Sequence, residues 1–282
     1  MKNSSQIKLI ALDLDGTLLS PDGQVHPMER DTLQQARRAG ISIAIATGRS
    51  IQDTLPYAQA AGGVDWIITE NGARISSANG QIIYQRVMPQ ETLELLLQLC
   101  RKYGVEPCFY GDHIVWYGKR CRQFHDNVQA ATGRPLPLQL DHFHYVDGHA
   151  QWDALTQENI YKAIVYGDAA DLETWLTALS QTGQFTAEPS IFCGMKNIEI
   201  NQFGTDKGTA LLHLAAQLQL TPEQVMACGD SDNDRAMLQA VGLGVAMANA
   251  PAHIRALANI VTDTNIQHGV AQVVQKYVLN AV

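Results

Sequence analysis

What this chain lacks narrows its function before any motif is read. Its 282 residues contain no apolar run as long as a membrane span, and Met1 to Gln6 enter the first apolar run with no signal-peptide core. Basic residues are scarce: 20 Lys and Arg against 28 Asp and Glu leave a net charge of −8, so there is no basic footprint for nucleic acid or an anionic membrane. Cysteines are few. Cys100, Cys108, Cys121, Cys193 and Cys228 are odd in number and form no C-x-x-C pair, which reads as free thiols in a reducing cytoplasm. Internal repeats and low-complexity tracts are absent as well. With 46% hydrophobic and 17% charged residues, the chain can bury a substantial core in one large domain or two.

Several short apolar runs each stop at a polar or glycine-rich cluster. Leu9 to Leu12 stops at Asp13, Ile41 to Ala46 at Thr47-Gly48-Arg49, and Trp66 to Thr69 at Glu70-Asn71-Gly72. Val225 to Cys228 stops at Gly229-Asp230, and Gly244 to Met247 at Ala248-Asn249-Ala250. Near-continuous apolar strands are the mark of a parallel sheet buried on both faces. Between them, Met28 to Ala39 and Thr209 to Leu220 carry apolar residues at helical spacing. Alternating strands and helices predict an α/β fold, a Rossmann-like doubly wound parallel sheet. Ligands of such sheets bind beyond the carboxyl ends of the strands, so Asp13, Asp15, Thr47, Asn71 and Asp230 are expected to converge.

Residues 86–202 read differently. A hairpin-like piece runs from Cys108 to Gly118, a Pro-rich stretch from Arg134 to Pro137, and helical runs cover Thr92 to Tyr103 and Asp171 to Ser180. This mixed order predicts an α+β cap inserted into a core formed by residues 1–85 and 203–282. Tyr110, His113, Trp116 and Tyr117 alternate along the hairpin, which leaves open which face packs inward. His142, His144 and His149, near Asp141 and Asp147, lack zinc spacing and read as loop histidines.

The chemistry concentrates in Asp13-Leu14-Asp15-Gly16-Thr17. A strand ending in Asp-x-Asp can present one carboxylate as a nucleophile and keep the next as a proton donor; a plain Asx-type turn is the bland alternative. Thr47, the Gly48 amide and Lys207 at a helix start are suited to the oxygens of a phosphoryl group. Two like charges ~4 Å apart cost ~4 kcal/mol at an effective dielectric near 20, so carboxylates around a phosphate dianion call for a divalent cation. Oxygen-only ligands favour Mg²⁺.

Together, Asp13-Leu14-Asp15-Gly16-Thr17-Leu18, Thr47-Gly48-Arg49, Asn71-Gly72, Lys207-Gly208 and Gly229-Asp230-x-x-Asn233-Asp234 resemble the haloacid dehalogenase superfamily and, within it, the Cof-type (subfamily IIB) phosphatases. The resemblance implies that Asp13 attacks phosphorus and that Asp15 protonates the leaving group, then helps water attack. It also implies that Thr47 and Lys207 bind the phosphoryl oxygens. Mg²⁺ would sit on the Asp13 carboxylate, the Asp15 backbone carbonyl and the Asp230 carboxylate. Asn233 is implied to touch phosphate or orient Lys207, and Asp234 to hold the metal's waters or the loop. Arg49 is left between a substrate contact and a structural ion pair. The expectation is a cytoplasmic Mg²⁺-dependent phosphatase of small phosphorylated metabolites, a monomer or weak homo-oligomer, with the cap as a lid. A phosphomutase or phosphotransferase acting on sugar phosphates is one rival. A non-catalytic binder of phosphometabolites is another, though a binder needs no paired nucleophile and acid.

Overall fold

A computed structural model describes residues 7–132, 142–167, 169–192 and 195–280. The stretch Met1 to Gln6, the Pro-rich segment from Arg134 to Pro137, Asp141 and Cys193 lie outside the described residues. The first elements are β1 (Leu9–Leu12), α1 (Pro27–Arg38), β2 (Ser42–Ala46), α2 (Ile51–Ala60), β3 (Trp66–Thr69), β4 (Arg74–Ser77) and β5 (Ile82–Gln85). An insertion then supplies α3 (Gln90–Tyr103), β6 (Pro107–Tyr110), β7 (Val115–Tyr117), α4 (Lys119–Thr132), β8 (Phe143–Tyr145), α5 (His149–Ala154), β9 (Lys162–Tyr166), α6 (Ala169–Thr182), β10 (Phe185–Phe192) and β11 (Met195–Gln202). The chain returns through α7 (Lys207–Gln217), β12 (Val225–Gly229), α8 (Arg235–Ala240), β13 (Leu243–Ala246), α9 (Ala252–Arg255), β14 (Ile260–Val261) and α10 (Gly269–Val274). Two compact units result, one of Met1–Gln85 with Asp206–Val282 and one of Arg86–Thr205.

The first unit is an eight-stranded sheet in the order β14-β13-β12-β1-β2-β3-β4-β5. The six strands from β14 to β3 are parallel, whereas β4 and β5 add an antiparallel edge. The doubly wound α/β core expected from the apolar runs is present, and the reason lies in alternation. Ile10 and Leu12 of β1 join one core cluster with Ile43, Ile45, Met226 and Cys228, under Leu33 of α1 and Val273 of α10. Leu9 and Ala11 join the opposite cluster with Ala44, Ala46, Val225 and Ala227, under Leu211 and Leu214 of α7 and Met237 of α8. Every residue of β1 is therefore buried, and the strand has no polar face to betray its direction. Each large side chain buried in this way contributes about 1.5–3 kcal/mol of transfer free energy. The β4 and β5 hairpin escapes a reading tuned to continuous apolar runs, because Arg74-Ile75-Ser76-Ser77 holds a single apolar residue and Ile82 stands 47% exposed at the edge.

Strand order also fixes where a ligand can bind. From β1 the chain winds to β2 and β3 on one side, and it later returns to β12, β13 and β14 on the other. The carboxyl ends of β1 and β12 lie side by side at this reversal, with Leu12 opposite Cys228. A crevice opens at such a switch point.

The second unit holds a six-stranded sheet, β10-β11-β9-β6-β7-β8. The hairpin expected near Cys108 to Gly118 is formed by β6 and β7, antiparallel, with Phe109 opposite Trp116. Both of its faces are covered: Phe109 and Trp116 pack with Trp152 and Trp175, while Tyr117 packs with Phe124 and Val128 of α4. The helical runs expected in this segment appear as α3 and α6. Among the described residues, no helix of the chain is long and apolar enough to cross a membrane.

Candidate active site

Asp13 is the first residue past β1, and its amide donates to the Cys228 carbonyl at 3.0 Å, so its backbone continues the sheet ladder. The turn that follows is closed by the Leu18 amide on the Asp13 carbonyl, 3.3 Å, and passes through Gly16 at φ +83°. Glycine is required there twice over. The left-handed conformation disfavours a side chain, and a Cβ would stand 2.2 Å from a carboxylate oxygen of Asp230. That carboxylate thus lies directly against the Gly16 backbone. Thr17 Oγ1 donates to Asp230 Oδ1 at 3.2 Å, and Asn249 Nδ2 donates to the Gly16 carbonyl at 2.8 Å and to Asp230 Oδ2 at 3.4 Å.

Lys207, the first residue of α7, is fully buried and reaches back into the same crevice. Its Nζ donates to Asp13 Oδ1 at 2.7 Å, to Asp234 Oδ1 at 2.7 Å and to Asn233 Oδ1 at 3.2 Å. Burial opposes its charge, but Asp13 and Asp234 outweigh that and hold its pKa above the ordinary lysine range. An ammonium has three protons, and here all three are committed. The other oxygen of Asp234 accepts from the amides of Asp230, 2.9 Å, and Ser231, 3.0 Å. Asp234 therefore ties the loop after β12 to Lys207.

The carboxylates crowd one another. Oxygens of Asp13, Asp230 and Asp234 all lie within 4.8 Å of each other. Burial, and next the charge of Asp234, push the Asp13 pKa well above its ordinary value, with Asp230 and Asp15 adding to the rise and Lys207 opposing it. Burial and Asp234 likewise push Asp230 up to about 7. One lysine does not offset so much buried negative charge. The oxygen-only donor set and the Gly16 cradle that seats Asp230 fit a hard divalent cation. Asp234 spends one oxygen on the Lys207 ammonium and the other on two loop amides, whereas Asp13 gives a single oxygen to Lys207 and Asp230 accepts only a 3.2 Å hydroxyl bond and a 3.4 Å amide bond, so Asp13 and Asp230 are the carboxylates best placed to serve such an ion.

Asp15 turns away from this cluster. Both of its oxygens accept from Arg49, Nε and Nη2 at 2.7 Å each, and the Arg49 guanidinium also lies 4.9 Å from the Tyr57 ring. The carboxylate is 57% exposed. Of the two roles left open for Arg49, an ion pair is the one the geometry displays. Thr47 follows β2 and is almost fully buried, with its Oγ1 accepting the Arg49 amide at 3.2 Å. Gly48 links the two, ahead of α2, which is capped by Ser50. Asn71 follows β3, its amide on the Thr47 carbonyl at 3.1 Å and its Oδ1 accepting from Asn233 Nδ2 at 3.3 Å. Asp232 faces outward to Arg235 and His253.

The strand-end residues named from sequence thus gather at one rim of one sheet. Asp13, Lys207, Asn233 and Asp234 are joined by direct bonds, with Asp230 packed beside Asp13 and Asp15 paired off to Arg49. Thr17 and Asn249 had no role in the sequence reading. Asn249 sits in Ala248-Asn249-Ala250, one of the polar breaks after an apolar run, and that position was its only signal. His142 and His144 belong to no metal-binding group among the described residues.

The sequence profile described as haloacid dehalogenase-like hydrolase matches residues 10–274. A 5-amino-6-(5-phospho-D-ribitylamino)uracil phosphatase of Bacillus subtilis strain 168 is 30% identical over 275 residues, covering 97% of this chain and 96% of its own. An HMP-PP phosphatase of Yersinia pseudotuberculosis serotype O:1b is 30% identical, covering 86% of this chain and 84% of its own. Among solved structures, a haloacid dehalogenase-like hydrolase from B. subtilis is similar at a TM-score of 0.84 and 28% identity, covering 95% of this chain and 99% of its own. Fold, rim geometry and these likenesses agree: the chain belongs to the haloacid dehalogenase-like hydrolase family.

Proposed function

We propose that this protein is a Mg²⁺-dependent phosphatase that hydrolyses small phosphomonoesters through a covalent intermediate on Asp13. The observation that carries the reading is the buried Asp13 carboxylate, held at the switch point by Lys207 through one oxygen. In the first step the other oxygen of Asp13 attacks phosphorus, the bond from phosphorus to the ester oxygen breaks, and Asp15 gives that oxygen a proton. In the second step Asp15 takes a proton from water as the water oxygen attacks phosphorus, releasing inorganic phosphate and restoring Asp13. Proton transfer by Asp15 requires Arg49 to give up at least one of its two bonds. Thr47, the Gly48 amide and Lys207 are assigned to the phosphoryl oxygens. Asp13 and Asp230, with the Asp15 carbonyl, would hold Mg²⁺, which when bound supplies positive charge against a dianionic group.

The relatives' names point to phosphorylated metabolites as the substrate class. The assignment of residues 86–202 as the cap that selects among them belongs to the same proposal. Exchanging that segment for a relative's should then re-rank kcat/KM across a panel of sugar and nucleotide phosphates. The central test is turnover of p-nitrophenyl phosphate with and without Mg²⁺, with inorganic phosphate counted against p-nitrophenol. Equal release of both, lost in Asp13→Asn while that variant still folds, supports the reading. Steady hydrolysis by Asp13→Asn would remove Asp13 from its role.

A further inference from the structure

Lys207 can donate only, so the atom of Asn233 that faces it must be the carbonyl oxygen, and the Asn233 NH₂ group must point the other way. There it meets Asn71 Oδ1 at 3.3 Å. Ser231 Oγ donates to the same Asn233 oxygen at 2.8 Å and strengthens the acceptor side, while Asn71 is what the NH₂ side meets among the described residues. Were Asn233 to flip, its NH₂ would face an ammonium, donor against donor.

The backbone at Asn71 is built to put that oxygen in place. Glu70 and Asn71 are consecutive left-handed residues, at φ 49° and 57°, and Gly72 continues the turn at φ 99°. Asparagine tolerates this conformation; glutamate rarely adopts it. Such strain persists where the surroundings over-determine it. Here the Glu70 amide is held by the Arg49 carbonyl and the Asn71 amide by the Thr47 carbonyl, each at 3.1 Å. Gly72 is pressed so close to the Asp206 carbonyl, the residue before Lys207, that a Cβ would stand 2.3 Å from that oxygen. One turn therefore touches the loop after β2, the start of α7 and the loop after β12.

We propose that Asn71 is a positioning residue for the hydrolysis assigned above: it fixes the amide orientation of Asn233, which in turn aims the third proton of Lys207. A phosphoryl oxygen arriving at Lys207 has to replace one of its three acceptors, and the longest bond, to Asn233, is the one that yields. With Asn71 in place, Asn233 waits as a correctly oriented place-holder; without it, Lys207 is misaligned toward Asp13 and substrate. This rests on the phosphatase reading for its kinetic part only.

The test compares intact wild-type, Asn71→Gly and Asn71→Asp proteins by hydrolysis of p-nitrophenyl phosphate with Mg²⁺, thermal melting and ¹H–¹⁵N spectra of the Asn233 side-chain amide. Glycine accepts the left-handed turn and removes the acceptor; aspartate accepts the turn and keeps an acceptor oxygen. In Asn71→Gly the melting temperature should hold and the Asn233 amide signal should move, while kcat falls roughly tenfold, the size of one hydrogen bond, with KM changing less than about twofold. Asn71→Asp should keep the wild-type amide signal. An unmoved amide signal in Asn71→Gly, or a moved signal with unchanged kcat, overturns the proposal. If the wild-type protein hydrolyses nothing yet the amide signal moves in Asn71→Gly, the phosphatase reading fails while the orientation of Asn233 by Asn71 stands.

Discussion

Glu29 of α1 offers a pH test of the fold that is independent of catalysis. It is 1% exposed beneath the start of α10, and neither carboxylate oxygen reaches hydrogen-bond geometry, although the Val270 and Ala271 amides approach closely enough to offset part of the cost. Burial pushes its pKa from 4.5 up to about 7. The folded chain therefore keeps a proton that the unfolded chain gives up between those values. The stability present below pH 4.5 is lost as pH rises through about 7, and the difference of 2.5 units at about 1.36 kcal/mol each makes the loss about 3 kcal/mol. Glu29→Gln keeps the shape and cannot ionise. It should be near wild type in stability at pH 5 and more stable at pH 8. About 2.5 kcal/mol of that loss falls between pH 5 and 8, so with roughly 2–4 °C per kcal/mol for a unit of this size the gap between the two melting curves should widen by roughly 5–10 °C over that range. Melting of both proteins in steps from pH 5 to 8 measures it. A gap that stays constant with pH would refute the reasoning, because it would mean the carboxyl is either solvated or already paired.

Other expectations concern the rim of the sheet. Lys207→Met leaves Asp13 and Asp234 buried without their cation, so it should abolish turnover and lower stability by about 3–5 kcal/mol, read by urea unfolding. Gly16→Ala drives a methyl group into the Asp230 carboxylate at an unfavourable φ; it should weaken Mg²⁺ activation by at least about tenfold, measured as the metal concentration giving half-maximal rate, and unchanged activation would count against the cradle. Asp15→Asn should slow alkyl phosphates far more than aryl phosphates, since only the poorer leaving group needs the proton; equal slowing would deny Asp15 the role of acid.

The core was legible because its strands are buried on both faces, so that Leu9 to Leu12 and Val225 to Cys228 appear in sequence as uninterrupted apolar runs. The location of the site followed from the same fact: in a parallel sheet every polar break lies at the same rim. What stayed hidden depended on contacts across long sequence separations. Arg49 and Asp15 are 34 residues apart, and nothing in either segment says that the two side chains pair rather than face a ligand. Asn233 and Asp234 are neighbours of similar shape, and only the curl of the loop after β12 decides that Asp234 grips Lys207 and the loop amides while Asn233 spans Lys207 and Asn71. The antiparallel β4 and β5 edge left no apolar run for other reasons: β4 buries the polar Arg74 and Ser76 beside Ile75, and β5 is largely exposed.

The bond from the Asp13 amide to the Cys228 carbonyl has a consequence for how this molecule fails. An attacking group borne on a surface loop can drift out of alignment while the body of the protein endures, whereas here the residue is stitched between β1 and β12, the middle pair of the six parallel strands. Heating should leave no window in which the sheet survives but the reaction centre has come apart. Loss of turnover and melting of the sheet would then be a single event.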